Sequence, residues 1–219
     1  MASSPDRLTS LQRELLLAFF EHERGFFLTG GAALAGFYLH HRETTDLDFF
    51  TDNADAFARG SFALRAAAAQ VGAELSIKQE APGFKRYLVT RSGDSVLVDT
   101  VWERVPPAYP EKREHGTVVL DSPEEITVNK LTTLVSRSEP RDLVDLMLLE
   151  RSGCSIDEAL PKALDKDGGC TPATLAWVLS QVDIPEGAEL PGGVSTAETR
   201  AFLALLIGRL LRAAAPPSR

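Results

Sequence analysis

By type and spacing, the residues of this chain best suited to chemistry are two aspartates two positions apart, Asp46 and Asp48, and the glycine pair Gly30-Gly31 that precedes them. Side chains two apart on a strand share a face, so Asp46 and Asp48 present two carboxylates side by side while Leu47 and Phe49 point the other way. Carboxylates held that close repel, and without a partner one is driven to take up a proton. A divalent cation removes the conflict. Mg²⁺ prefers carboxylate and phosphate oxygens, keeps some of its waters, and is commonly bound jointly by one or two carboxylates and a nucleotide's phosphates. The glycine pair supplies the complement, a sharp turn without side chains opening a helix whose free N–H groups and dipole favour a phosphate. Alone, a Gly-Gly pair is a turn and an Asp-x-Asp a solvated strand end; together they describe one site for a metal-bound nucleotide.

The elements that must position these residues can be read around them. Phe26, Phe27 and Leu28 form an apolar run short enough for a buried strand, and residues 32–39 carry helix formers with an apolar stripe. The helix ends in the polar run His40, His41, Arg42, Glu43, Thr44, and residues 46–50 follow with the alternation of a strand buried on one face. Residues 3–9 offer caps for a first helix over 10–23, with Leu11, Leu15, Leu16 and Phe19 at helical spacing. After the acid pair, Asp52 and Asn53 cap a helix over 54–71 with Phe57, Phe62 and Leu64 on its apolar side. Strand-like runs at 74–79, 85–90 and 96–101 are separated by Ala81-Pro82-Gly83 and Ser92-Gly93-Asp94, the pattern of antiparallel hairpins. In the last of these runs Asp99 interrupts a β-branched apolar series, and a strand acid in such company needs a reason. Residues 102–115 read as a loop, with Trp102 and Tyr109 suited either to stack on a base or to cover the core; 117–120 as a short strand; and Ser122-Pro123-Glu124-Glu125 as a helix start.

The glycine turn, helix and acid strand are similar to the signature of the polymerase-beta-like nucleotidyltransferase superfamily. More closely, LTGGAALAGFYLHHRETTDLDFF resembles the opening motif of the AbiEii/AbiGii toxin family, the nucleotidyltransferase-like half of a class of bacterial toxin–antitoxin and phage-defence pairs, and the match includes Arg42. The resemblance implies a third carboxylate on a later strand, where Asp99 falls. It also implies a lysine and an aspartate on helices: residues 125–149 resemble the family's second block, with Lys130 on the first helix and Arg141, Asp142 and Asp145 on one opening at Pro140. The implied metal ligands are Asp46, Asp48 and Asp99, with Asp46 and Asp48 bridging two Mg²⁺ (or Mn²⁺) ions about 3.5–4 Å apart and Asp99 on the ion that activates the attacking hydroxyl. The implied nucleotide-binding residues are Gly30, Gly31, Arg42 and Lys130, and the implied catalytic set is Asp46, Asp48, Asp99, Lys130 and Asp142. Whether Asp142 and Asp145 touch substrate, or hold Lys130 or Arg141 in place, is left open by their spacing.

The fold implied is α/β (α+β): a polymerase-beta-like nucleotidyltransferase core with a mixed sheet over residues 26–120, an N-terminal helix making a first domain of 1–120, and a helical C-terminal domain, 121–219, completing the cleft. Helices are expected at 155–164, 172–182 and 196–213, a Pro/Gly-rich loop at 184–193 and a frayed tail at 215–219. The partners implied are an NTP substrate, a tRNA or other RNA acceptor, and a cognate antitoxin protein. Two further readings stand beside this one: the same site modifying a protein or a small molecule, and a nucleotide-binding module with little turnover that grips a partner. At 219 residues, 44% hydrophobic and 25% charged, the chain has the composition of a globular protein, and a net charge of -8 argues against a surface coated in nonspecific nucleic-acid affinity. Two isolated cysteines, Cys154 and Cys170, suit neither a disulfide framework nor a zinc cage. With no signal peptide and no apolar run near the roughly 20 residues a span requires, the expected location is the cytoplasm, without a membrane.

Overall fold

A computed structural model describes residues 7–137 and 139–215. Within them the chain divides into two compact units, one running to Pro106 and including Pro110–Ser122, the other formed by Pro107–Tyr109 and the residues from Pro123 onward. Residues 3–6 of the expected capping segment and 216–219 of the expected tail lie outside the described residues.

The first unit is built on a mixed seven-stranded sheet with β1 (Phe27–Thr29), β2 (Asp46–Thr51), β3 (Glu74–Ala81), β4 (Phe84–Arg91), β5 (Asp94–Trp102), β6 (Arg113–His115) and β7 (Val118–Leu120), in the order β3-β4-β5-β2-β1-β7-β6. The pairs β2–β5 and β1–β7 are parallel and the others antiparallel. The hairpins β3–β4–β5 are those the turn residues predict, whereas β6 lies in the stretch expected to be loop.

Helix α1 (Ser10–His22) starts on a reciprocal cap: Gln12 N–H donates to Thr9 Oγ1 at 3.2 Å and Thr9 N–H to Gln12 Oε1 at 2.8 Å. Its apolar stripe closes over the buried face of β2, where Phe19 stacks on Phe49 with ring centroids 4.2 Å apart and Phe20 and Phe26 pack edge-on around them. Each such pair contributes about 0.5–1.5 kcal/mol beyond its buried area.

Helix α3 (Ala54–Gln70) is capped by Asn53, whose Oδ1 accepts the N–H groups of Asp55 and Ala56. Its buried stripe is Ala56, Gly60, Ala63, Leu64, Ala67 and Ala68. Phe62, expected on that face, is instead 77% exposed. The small residues let the helix approach closely, to the point that a methyl on Gly60 would lie 2.7 Å from the Phe26 ring, and that approach gives the inner face to alanine rather than phenylalanine.

The helix after the glycine pair also differs from a regular α-helix. Four α-helical residues, Gly30–Ala33 (α2), run into a π-helical turn, Leu34–Tyr38, closed by Leu39 N–H on the Leu34 carbonyl at 2.8 Å.

The second unit is helical: α4 (Pro123–Ser136), α5 (Pro140–Arg151), α6 (Ile156–Lys166), α7 (Pro172–Ser180) and α8 (Thr196–Ala214). Its core gathers Val128, Leu131, Leu143, Leu146, Leu175 and Leu206 among others. Residues 107–109 group with this unit because Tyr109 N–H donates to Glu125 Oε2 at 2.8 Å and Lys162 Nζ sits 4.7 Å from the centre of its ring. Among the described residues no helix is long and apolar enough to cross a membrane.

Candidate active site

The acid face of the sheet follows from strand period and register. Along β2, Leu47 and Phe49 are fully buried while Asp46 and Asp48 lie half-buried on the opposite face. The parallel pairing of β2 with β5 sets Asp48 beside Asp99 and Asp46 beside Leu97, and the antiparallel pairing of β2 with β1 sets Asp48 beside Thr29, the residue before the glycine turn. The three acids and the turn therefore come from adjacent strands, with Asp48 in the middle.

The glycine pair is required by its two neighbours. Gly30 has φ +63°, a conformation strained for any residue with a Cβ, and a methyl there would stand 2.6 Å from Asp48 Oδ2. A methyl on Gly31 would stand 2.8 Å from Arg42 Nη2 and 3.4 Å from Thr44 Oγ1. The turn is thus flanked by a carboxylate on one residue and a guanidinium on the next. Thr44 Oγ1 donates to Asp46 Oδ1 at 2.8 Å, and its own carbonyl accepts from the buried Gln12 Nε2 at 2.8 Å, which ties the loop ahead of β2 to α1.

Asp99 is 7% exposed and engaged with Arg86 of β4. Arg86 Nε–H donates to Asp99 Oδ1 at 2.8 Å and Nη2–H to Oδ2 at 2.6 Å, a bidentate fork across the directly paired positions of β4 and β5. The bond to Asp99 holds the guanidinium pKa above its ordinary value, and the charges of Asp99, Asp48 and Asp46 act in the same direction. Asp46, Asp48 and Asp99 share a face but do not close round one point: among the described residues no three acids, histidines or cysteines are arranged to ligate a single ion. The donor chemistry fits Mg²⁺ at Asp46 and Asp48, two hard carboxylates on one face of one strand beside an anion-favouring turn, with substrate phosphates completing the shell.

Arg86 and Thr44 went unread in the sequence, and for Arg86 a signal existed. Ser92 and Gly93 both have positive φ, the mark of a two-residue hairpin turn between Arg91 and Asp94, and equal steps back along both strands from that pair bring Arg86 opposite Asp99. Counting Asp94 into the turn loses that register.

The other predicted residues lie in the helical unit. Lys130 Nζ lies 2.7 Å from Asp142 Oδ1 and 2.6 Å from Asp145 Oδ2; Lys130 is 7% exposed and both aspartates are fully buried. Both acids therefore hold Lys130, the alternative their spacing left open, while Arg141 pairs with Glu139 at 2.6 Å. Of the two aromatics of the expected loop, Trp102 lies under Arg104, whose guanidinium carbon is 4.2 Å from its ring centre, and Tyr109 under Lys162.

A parallel acid strand beside a glycine turn in a mixed sheet defines a nucleotidyltransferase-type core. The chain belongs to the AbiEii family, described as nucleotidyl transferase AbiEii toxin of type IV toxin–antitoxin systems, whose model matches residues 13–214. No curated protein matches the sequence. Similar solved structures include a candidate nucleotidyltransferase of Helicobacter pylori (TM-score 0.59, 19% identity, 92% of each chain covered) and JHP933 of Helicobacter pylori (TM-score 0.57, 20% identity, 92% of this chain and 89% of that one). MenT4, a nucleotidyltransferase toxin of Mycobacterium tuberculosis, is similar with TM-score 0.55 and 16% identity over 92% of this chain and 82% of its own. At these identities the likeness is one of fold.

Proposed function

We propose that this nucleotidyltransferase transfers a nucleotidyl group from an NTP to a hydroxyl at an RNA end, tRNA being the leading acceptor, in a Mg²⁺- or Mn²⁺-dependent reaction, and acts in the cytoplasm as the toxin of a pair with a cognate antitoxin. The observation that carries the reading is the position of Asp48, against the Gly30 turn on one side and beside Asp99 on the other. In the reaction the acceptor oxygen bonds to the α-phosphorus, the bond from that phosphorus to the β-phosphate oxygen breaks, pyrophosphate leaves with the electron pair, and the hydroxyl proton passes to a carboxylate of the acid face. Asp46 and Asp48 would hold the divalent ion, which when bound neutralises phosphate charge and makes the acceptor hydroxyl more acidic. The Gly30-Gly31 turn brings backbone N–H groups to the phosphates and Arg42 adds charge beside them. Thr44, hydrogen-bonded to Asp46, fixes that carboxylate's orientation. Lys130 and Asp142, which the resemblance implies as phosphate-binding and catalytic residues, pair with each other at 2.7 Å within the helical unit.

The net charge of -8 favours a second reading, in which the acceptor is a protein side chain or a small molecule. Incubation with each labelled NTP, Mg²⁺ and either total RNA or cell extract separates the two. Label in RNA supports the first and label in protein the second. Nucleotide binding without transfer to any acceptor points to a partner-gripping module, and undiminished transfer by Asp48→Ala removes the acid face from the account.

A further inference from the structure

Asp99 is the most buried acid of its face, and a buried carboxylate persists as an anion only with a partner. The partner is not left to a ligand. β4 supplies Arg86 at the directly paired position, and its fork takes both Asp99 oxygens at 2.8 and 2.6 Å. Arginine remains cationic at any working pH, and its planar fork matches a carboxylate in a way that lysine does not. The bidentate bond uses two of the guanidinium's five donors, which leaves three for a ligand, and the side chain is 42% exposed. The charges of Asp99, Asp48 and Asp46 all act to keep the guanidinium protonated, so the cation belongs to the whole acid face. A divalent ion on Asp99 would have to break the fork or stand directly against a guanidinium.

We propose that Arg86 is the built-in second cation of this face: locked on Asp99, it occupies the place of a second divalent ion, so that the site takes one Mg²⁺, on Asp46 and Asp48, and meets further triphosphate charge with the guanidinium. The inference rests on reading this face as a nucleotidyl-transfer site, and it departs from the two-ion arrangement that the family resemblance implies. Asp99 then acts as a positioning residue for Arg86.

The test is the number of Mn²⁺ ions bound per full-length chain, read by electron paramagnetic resonance of free Mn²⁺ during titration with the metal alone. The wild-type protein binds one ion. Arg86→Met binds a second, at least tenfold tighter than any second ion in the wild type, and Arg86→Lys, which keeps the charge but not the fork, remains at one. Because Arg86→Met leaves a buried carboxylate unpaired and can fail to fold, the wild-type count and the Lys variant decide the matter without it. Two ions on the wild type, or two on Arg86→Lys, overturn the inference and leave the metal-site reading standing, as does a folded Arg86→Met that still binds one. No bound ion on the wild type overturns the metal-site reading and the inference with it.

Discussion

The acid face of the sheet and the Lys130 cluster of the helical unit both set basic side chains against aspartates, and they do so in opposite ways. On the sheet, Asp46 and Asp48 are half-buried, and Arg86 and Arg42 arrive from a neighbouring strand and a loop. In the helices, Lys130 is enclosed between two fully buried aspartates within 2.7 Å. The first arrangement displays charge that a ligand can meet; the second buries a cation between two anions, with Arg137 Nε 3.5 Å from Asp142 at its edge, and stabilises only as a set. Removing one member from a display changes binding, whereas removing one from a closed set leaves an uncompensated buried charge.

That contrast can be broken by experiment. The largest effect is expected from Asp48→Ala, which lowers nucleotidyl transfer by on the order of 10²–10³-fold while shifting urea-unfolding stability by less than about 1 kcal/mol; a comparable loss of stability would erase the distinction. Lys130→Met is expected to cost about 3–5 kcal/mol in the same unfolding assay, because Asp142 and Asp145 stay buried without the lysine between them. A stable Lys130→Met protein that has lost transfer would instead move Lys130 into the displayed class. Gly30→Ala follows, at about 1–3 kcal/mol for a strained φ, together with a loss of transfer, since the new methyl must push Asp48 aside.

A smaller effect concerns the buried thiol of Cys170, which burial pushes up to about 12 from 9.0. A folded-state value above the unfolded one means that this contribution to stability is complete below about 9 and is lost as pH rises towards 12. Native protein at pH 9 is accordingly expected to resist thiol labelling at Cys170 until urea is added. The smallest effect is assigned to Phe62→Ala, within about 0.5 kcal/mol, against about 2–5 kcal/mol for Leu64→Ala two positions along the same helix. A large cost at Phe62 would contradict its outward placement.

Much of the site was legible because its determinants are local. Period-two alternation is enough to put Asp46 and Asp48 on one face, and glycine chemistry is enough to mark the turn. The Thr9 cap, the Asn53 cap and the helix start at Pro123 were legible for the same reason. Where the expectation failed, apolar character had been set above helical phase. Phe62 stands two positions from Leu64 on a helix and so on nearly the opposite side, while Gly60 against Phe26 fixes the alanine face as the inner one.

From its sequence alone, then, this chain determined a strand, a glycine turn, a helix and an acid strand in that order, since each depends on residues within a few positions of one another. Only the tertiary structure decided that Asp99 stands beside Asp48, because β2 and β5 pair in parallel across an intervening helix and hairpin, and no local pattern sets that register. Only the tertiary structure, likewise, enclosed Lys130 between two buried aspartates: a buried charge takes whichever opposite charge the fold brings within about 3 Å, and packing chooses it.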